Sequence, residues 1–276
     1  MRCLISSRPQ IEYDVAGINN STGEGMARED SYQKILSALD IDFSDGFEGE
    51  NVRELALLQK TDLLEKSVTI VQIEESMNFS VFSSLGSDHP SAEIYAMDFP
   101  SDLRASIYVL LGGYYRQASL CLRNWMEMRL LGVYFGHTRP YGDEYKAWKA
   151  GTAEGPFGRT LIGRLFSRVE FRRFEEKLNL RSSLETLYSE LSVFTHGGAL
   201  ERHNLQSETD NVPRFNQKSV ELWYLFAQRV FADLVLCFAI AYGKQAFSSL
   251  EPSEKAMLKH LLPAEYTNEL ARESVL

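Results

Sequence analysis

Residues 105–135, ASIYVLLGGYYRQASLCLRNWMEMRLLGVYF, decide the fold, because they form a long apolar stretch with a helical pattern. They predict a single central helix that begins near Ser101 and ends near Gly136. Gly112 and Gly113 interrupt the pattern, and we expect them to mark close packing against a neighbouring helix. A second stretch, residues 184–198 with the sequence LETLYSELSVFTHGG, predicts a helix that ends in a histidine and two glycines.

The composition is that of a soluble globular protein. The chain has 276 residues, of which 44% are hydrophobic and 24% charged. Its net charge of −9 argues against general binding to duplex nucleic acid, which depends on neutralising phosphates, but leaves room for a local basic surface. Three cysteines lie far apart and form no CxxC pair, which favours a reducing, cytoplasmic location.

The most apolar stretch, residues 220–247, predicts a buried core helix from about Gln217 to Phe247. Charged side chains interrupt it, which argues against a membrane span. Among them, Arg229 and Asp233 stand four residues apart, and we expect them to pair along one helix face. The sequence therefore predicts a protein without a membrane contact.

The whole chain is predicted to be all-α, with an N-terminal arm and short helix in residues 1–50 and one helical domain in residues 51–276. Three or four long helices would pack as a bundle, with short helices around them. No strand pattern is found after residue 30. Besides the central and core helices, we expect helices over residues 51–85, 144–149, 157–166, 170–178, 253–261 and 264–272, and one capped by Ser182 or Ser183 that ends at His196.

Three charged residues of the central helix, Arg116, Arg123 and Glu127, are spaced by seven and four, which places them on one stripe. Arg123 and Glu127 can form a local ion pair. Two interpretations stay open. The pair fixes the packing of the helix, or Arg123 uses its planar guanidinium to bind a phosphate.

The second helix offers a complementary set of polar groups, because Tyr188, Ser192 and either Thr195 or His196 share a face. Histidine is well suited to proton transfer near neutral pH. If the two stripes face each other, Arg123, Glu127 and His196 are the catalytic candidates. The substrate-binding candidates are Arg116, Tyr188, Ser192 and Thr195. The alternative is that His196 only satisfies the end of its own helix.

A basic run over residues 157–181 is a second candidate for ligand binding. Arg164, Arg168 and Arg172 would form a row at intervals of four, with four phenylalanines interleaved. Such a row suits single-stranded RNA through charge and stacking, so Arg164 and Arg168 are further substrate-binding candidates. The alternative is a solvated basic face with its phenylalanines in the core. No metal-ligand, P-loop, dinucleotide-binding or GxSxG pattern is present, so we expect no metal or other cofactor.

The helix LLGGYYRQASLCLRNWMEMRL followed by YSELSVFTHGG resembles bacterial helical proteins of the HEPN-like superfamily, over roughly residues 100–245. The resemblance implies a cytoplasmic effector of a phage-defence or toxin–antitoxin system. It would be a metal-independent ribonuclease acting on RNA or a similar anionic ligand, would form a homodimer through its long apolar helices, and would have a protein partner from the same operon.

This chain lacks the arginine and histidine that active members of that superfamily carry four to six residues apart on one helix. Arg129 and His137 are separated by seven residues, and no arginine lies at the required distance before His196. The resemblance therefore implies either a rearranged site of Arg123, Glu127 and His196, or a non-catalytic binding or assembly module of the same fold.

Overall fold

The computed structural model describes residues 50–97, 101–138, 142–194 and 215–275. Within these ranges every regular element is a helix, which confirms the all-α prediction. The arm and short helix predicted for residues 1–50 lie outside the described residues, apart from Glu50. The α-helices are α1 (Glu50–Leu85), α2 (Pro90–Met97), α3 (Ser101–Leu111), α4 (Tyr115–Thr138), α5 (Asp143–Lys149), α6 (Gly158–Phe166), α7 (Val169–Leu178), α8 (Leu180–Ser192), α9 (Gln217–Tyr242), α10 (Pro252–Leu261) and α11 (Ala264–Arg272), and a 3-10 helix (Gly243–Phe247) follows α9.

The prediction of one continuous central helix is wrong, because the chain reverses between α3 and α4. Gly113 has a φ of 79°, a left-handed conformation that glycine adopts without a steric penalty. The Ser106 hydroxyl on α3 then donates a hydrogen bond to the Ala118 carbonyl on α4, at 2.6 Å. The two glycines therefore make a tight turn and not a close crossing within a straight helix.

The predicted start of α8 is also wrong. The helix begins at Leu180, directly after Asn179. Asn179 has a left-handed φ of 52°, and it is both the C-cap of α7 and the N-cap of α8. Ser183, one of the two expected caps, lies inside the helix and donates its hydroxyl to Asp233 on α9, at 2.7 Å. A serine expected to cap the start of its own helix instead joins two helices.

Helix α9 packs against both α1 and α4, and the three helices run in the same direction. Near their starts, the Asn216 backbone N–H donates to the Tyr115 hydroxyl at 2.7 Å, and Lys60 pairs with Glu221 at 2.6 Å. Near their ends, the Tyr242 hydroxyl on α9 donates to the Gly132 carbonyl on α4. Apolar side chains of all three helices form the core.

The predicted core helix is borne out as a buried element. The segment Gln217–Phe247 is long and apolar enough to cross a membrane, but 72% of its most apolar window is buried inside the protein. This burial is consistent with the core of a soluble protein. The expected pairing of Arg229 with Asp233 is wrong, because Arg229 binds Glu190 on α8 at 2.7 Å.

A buried ion pair joins α1 to α4 in the interior. Arg129 is 1% exposed and pairs with Glu74, which also accepts a hydrogen bond from Trp125 Nε1 at 3.3 Å. The Arg129 guanidinium lies 5.0 Å from the ring centre of Tyr95 on α2. Tyr95 comes this close because Gly132 has no side chain, as a Cβ there would lie 2.2 Å from the Tyr95 ring. These contacts fix the positions of α1, α2 and α4.

Asp233 supports a pH-dependence prediction, because it is a buried acid that accepts hydroxyl hydrogen bonds from Ser183 and Tyr266, at 2.7 and 2.8 Å. Burial raises the pKa of Asp233 from 3.8 to about 6, while the two hydroxyls oppose the rise. Between these pKa values the folded chain holds the proton more tightly than the unfolded chain. The contribution of Asp233 to the free energy of unfolding therefore falls as the pH rises from about 4 to 6.

We expect the Asp233→Asn protein to be more stable than the parent at pH 7, by up to about 3 kcal/mol, and to lack this fall with pH. Asparagine removes the buried charge, and its amide oxygen keeps one hydrogen-bond acceptor for the two hydroxyls. Urea unfolding at pH 5 and pH 7 measures the difference. Asp143→Asn, at a fully exposed side chain, is the control. A parallel pH profile in the parent and the Asp233→Asn protein would contradict the assignment.

Candidate functional site

The two sequence stretches that carry the candidate site lie against each other in the described residues. Arg123 Nη2 on α4 donates to the Tyr188 hydroxyl on α8 at 2.6 Å, and Arg116 Nε donates to the Phe194 carbonyl at 2.8 Å. The earlier arginine therefore contacts the later residue, Phe194, which lies just after the end of α8, so the two helices run antiparallel. The contacts depend on the spacing of seven between the arginines, which places both on one face of α4.

Arg123, Glu127 and Tyr188 form a compact group with Gly158, which opens α6. Arg123 Nε lies 3.5 Å from Glu127 Oε2, and its guanidinium carbon lies 4.6 Å from the Tyr188 ring centre. The Gly158 backbone N–H donates to the Glu127 carboxylate. Gly158 has a φ of 55°, and a Cβ there would lie 2.5 Å from the Tyr188 hydroxyl. Only glycine fits, so the group joins α4, α6 and α8.

The group is largely closed to solvent, since the side chains of Arg123 and Glu127 are 16% and 12% exposed. Burial raises the pKa of the Glu127 carboxyl above its ordinary value, and Arg123 and the Gly158 N–H offset this only in part. A carboxyl of this kind holds a proton more readily than an exposed glutamate. The arrangement can therefore fix the helices relative to one another, and Glu127 can be protonated at a higher pH than an exposed glutamate.

The remaining residues predicted for this site have different outcomes. Ser192 donates its hydroxyl to the Tyr188 carbonyl of its own helix at 2.6 Å. α8 ends at Ser192, so the predicted helix end at His196 is wrong, and because Thr195 and His196 lie outside the described residues their roles stay predictions. The last described residue before them, Phe194, contacts Arg116, which is seven residues from Arg123, or about 10 Å along α4. Phe194, which follows the end of α8, therefore lies next to Arg116 and not next to Arg123.

The predicted basic row is wrong as a continuous feature. α6 ends at Phe166 and α7 begins at Val169, so Arg164 and Arg168 belong to different elements. Arg168 lies over the Tyr134 ring, with its guanidinium carbon 5.9 Å from the ring centre. Four cations of the run pair with carboxylates, which removes most of its excess charge. The pairs are Arg164 with Glu144, Arg173 with Glu273, Lys177 with Glu269, and Arg181 with Glu185.

The four phenylalanines of the run fall into a buried group and one exposed residue. Phe166, Phe171 and Phe174 are buried, as the solvated-face interpretation expects. Phe157 is 47% exposed and lies directly before Gly158. The run is therefore mainly a solvated face, and its first residues differ from the rest.

Arg116 and Arg159, with the Phe194 and Ser189 oxygens that they contact, form the arginine face, and the mostly buried Arg123 lies behind it. Arg159, on α6, donates from Nη2 to the Ser189 hydroxyl at 2.7 Å. Arg116 and Arg159 are exposed and, among the described residues, form no ion pair with a carboxylate. The acids Glu185 and Glu190 of α8 already pair with Arg181 and Arg229. Sequence reasoning missed Arg159 as a member of this face, because its partner lies on another helix.

A groove of about 850 Å³ lies elsewhere, between α7, the end of α9 and α11. It carries three cations and three carboxylates, so its charge gives no preference for an anion. They are Arg172, Arg173 and Lys244, and Glu170, Glu176 and Glu273. We therefore place the candidate ligand site at the arginine face, where Arg116 and Arg159 each contact an uncharged oxygen. Among the described residues, no group of three His, Cys, Asp or Glu side chains could hold a metal ion.

Comparison with protein-family models, with curated proteins and with solved structures gives no match for this chain.

Proposed function

We propose that this chain is an RNA-binding helical effector whose arginine face holds the phosphates of the ligand. The observation that carries the proposal is the state of Arg116 and Arg159. Both are exposed, and neither contacts a carboxylate in the described residues: Arg116 contacts the Phe194 carbonyl just after α8, and Arg159 contacts the Ser189 hydroxyl on α8. Each positive charge is therefore held in place without being neutralised.

Such arginines suit phosphate binding. A guanidinium carries five N–H donors in a fixed plane and remains charged at all ordinary pH values. The described residues occupy only Nε of Arg116 and only Nη2 of Arg159. The other donors can bind phosphate oxygens with charge-assisted hydrogen bonds, and the existing contacts limit the freedom lost on binding. Arg123 is mostly buried and holds Tyr188 in place behind this face.

Cleavage of the bound RNA is the catalytic form of this proposal. His196 would act as the general acid or base, and the partly buried Glu127 would help to hold the site together. Two residues span at most about 7 Å, and Phe194 contacts Arg116. In this form of the proposal, Arg116, which contacts Phe194 two residues before His196, joins Arg123 as an arginine for the scissile phosphate.

The second candidate function is a non-catalytic binding or assembly module. The closed group of Arg123, Glu127, Tyr188 and Gly158 favours it, because these side chains satisfy one another and join three helices. In that case the group fixes helix packing and takes no part in chemistry.

The wider expectations belong to the same proposal. They comprise a HEPN-like bundle of three to four long helices, a cytoplasmic defence or toxin–antitoxin role, a homodimer and a partner from the same operon. The parallel arrangement of α1, α4 and α9 supports the bundle, and the burial of α9 supports a soluble location.

The affinity for single-stranded RNA tests the proposal. We expect the Arg116→Gln/Arg159→Gln protein to bind a labelled oligoribonucleotide at least about tenfold more weakly than the parent, since two charge-assisted contacts are lost. Fluorescence anisotropy measures the change. Arg173→Gln/Lys177→Gln is the matched control, because both cations are paired with carboxylates. Equal affinities for the parent and both double variants would contradict the proposal.

A further inference from the structure

We propose that Phe157 and Trp148 form a stacking platform for unpaired bases at the edge of the arginine face. The inference rests on the proposed RNA-binding function and narrows its ligand to single-stranded RNA. It begins from an exposed aromatic ring that is one residue away from the group formed by Arg123, Glu127, Tyr188 and Gly158.

The position of Phe157 is fixed by its neighbour in the chain. Gly158 donates its N–H to Glu127 and lies against the Tyr188 hydroxyl, so the backbone at this point is held to both α4 and α8. Arg159 follows and donates to Ser189. The Phe157 ring, 47% exposed, is therefore attached to the same short segment as one arginine of the face.

Trp148 provides the second ring. It is partly exposed, and it packs against Phe135 with ring centres 5.3 Å apart. Gly155 lies beside both aromatic residues, because a Cβ there would be 2.9 Å from Trp148 Cδ1 and 3.6 Å from Phe157 Cε2. The two rings thus border one glycine, and a side chain at that position would clash with Trp148.

Aromatic rings next to arginines suit single-stranded nucleic acid. Every base has a flat face that stacks on an aromatic side chain, and the adjacent cations hold the backbone. In a duplex the bases already stack on one another and cannot reach such a platform. The platform therefore predicts preference for unpaired over paired RNA, without strong preference for sequence.

The test uses the full chain and a labelled single-stranded oligoadenylate. We expect Phe157→Leu to weaken its binding about tenfold, because stacking on one base is worth about 1–3 kcal/mol and leucine keeps only the apolar contact. Binding of inorganic polyphosphate, which has no bases, is expected to stay unchanged. Phe79→Leu is the matched control, since Phe79 is 61% exposed on α1. α1 packs against α2, α3, α9 and α10, whereas α6 packs against α4, α7 and α8.

Tryptophan fluorescence gives a second readout on the unaltered protein. Trp125 and Trp223 are 1% and 2% exposed, so quenching by an added ligand reports on Trp148. We expect oligoadenylate to quench the emission and polyphosphate to leave it unchanged.

The outcomes separate this inference from the proposed function. If the parent protein binds no single-stranded RNA, both fail. If the arginine variants weaken binding while Phe157→Leu has no effect and no quenching occurs, the stacking platform is overturned and the RNA-binding proposal stands. Equal affinity for duplex and single-stranded RNA also overturns the platform. If Phe157→Leu changes only self-association in sedimentation velocity, the ring is a protein contact and the inference is wrong.

Discussion

Replacing Glu74 by alanine is expected to lower the free energy of unfolding by about 3–5 kcal/mol, because Arg129 would then be a buried charge without its carboxylate. Arg129 is 1% exposed and lies among the apolar side chains of α4 and α9. The small cavity of about 10 Å³ beside it has room for a single water molecule at most. In the parent protein, therefore, the Arg129 guanidinium has almost no solvent beside it and depends on Glu74 for its neutralisation.

Urea unfolding of the parent and the Glu74→Ala protein measures this loss. Glu65→Ala, at an exposed position of the same helix, controls for the loss of a glutamate. The double replacement Glu74→Leu/Arg129→Met removes both charges and keeps apolar volume, so it should recover most of the stability. If Glu74→Ala unfolds at the same urea concentration as the parent, the ion pair does not contribute to the fold as described.

Replacing His196 by alanine is expected to reduce RNA cleavage by roughly 10²–10⁴-fold if the protein is a ribonuclease, because a positioned acid or base contributes a factor of this size. The binding affinity should change much less, since the phosphate contacts are assigned to Arg116 and Arg159. Cleavage of a labelled single-stranded RNA, together with its dissociation constant, separates the two effects.

His260→Ala is the matched control, because His260 is exposed on α10. Equal cleavage by the parent and the His196→Ala protein would remove His196 from the mechanism. Binding without cleavage in both proteins would assign the chain to the non-catalytic alternative. A fall in the melting temperature of several degrees in His196→Ala would show that the histidine is structural.

The sequence pattern predicts most helix boundaries because apolar periodicity and proline positions are local signals. α9 begins at the expected Gln217, and α11 has the expected limits. The break at Gly113 could not be chosen from the sequence, since two glycines fit both a tight turn and a close helix crossing. Only the packing of Ser106 against α4 decides between them.

The same difference between local sequence signals and long-range contacts applies to the candidate site. Spacing correctly placed Arg116 and Arg123 on the face of α4 that meets α8, because a heptad step is a local property of a helix. Spacing could not show that the most buried arginine is Arg129, whose partner Glu74 is distant in sequence. It also could not show that Arg164, Arg173 and Lys177 are neutralised by acids that lie outside the run.

The salt dependence of RNA affinity tests the central claim, that Arg116 and Arg159 bind phosphates. The logarithm of the affinity for single-stranded RNA falls with the logarithm of salt concentration, with a slope of about −0.7 for each phosphate neutralised. The Arg116→Gln/Arg159→Gln protein should therefore have a slope about 1.4 shallower than the parent, and the paired-cation control should match the parent. The same slope in all three proteins would contradict the assignment of phosphate binding to the arginine face.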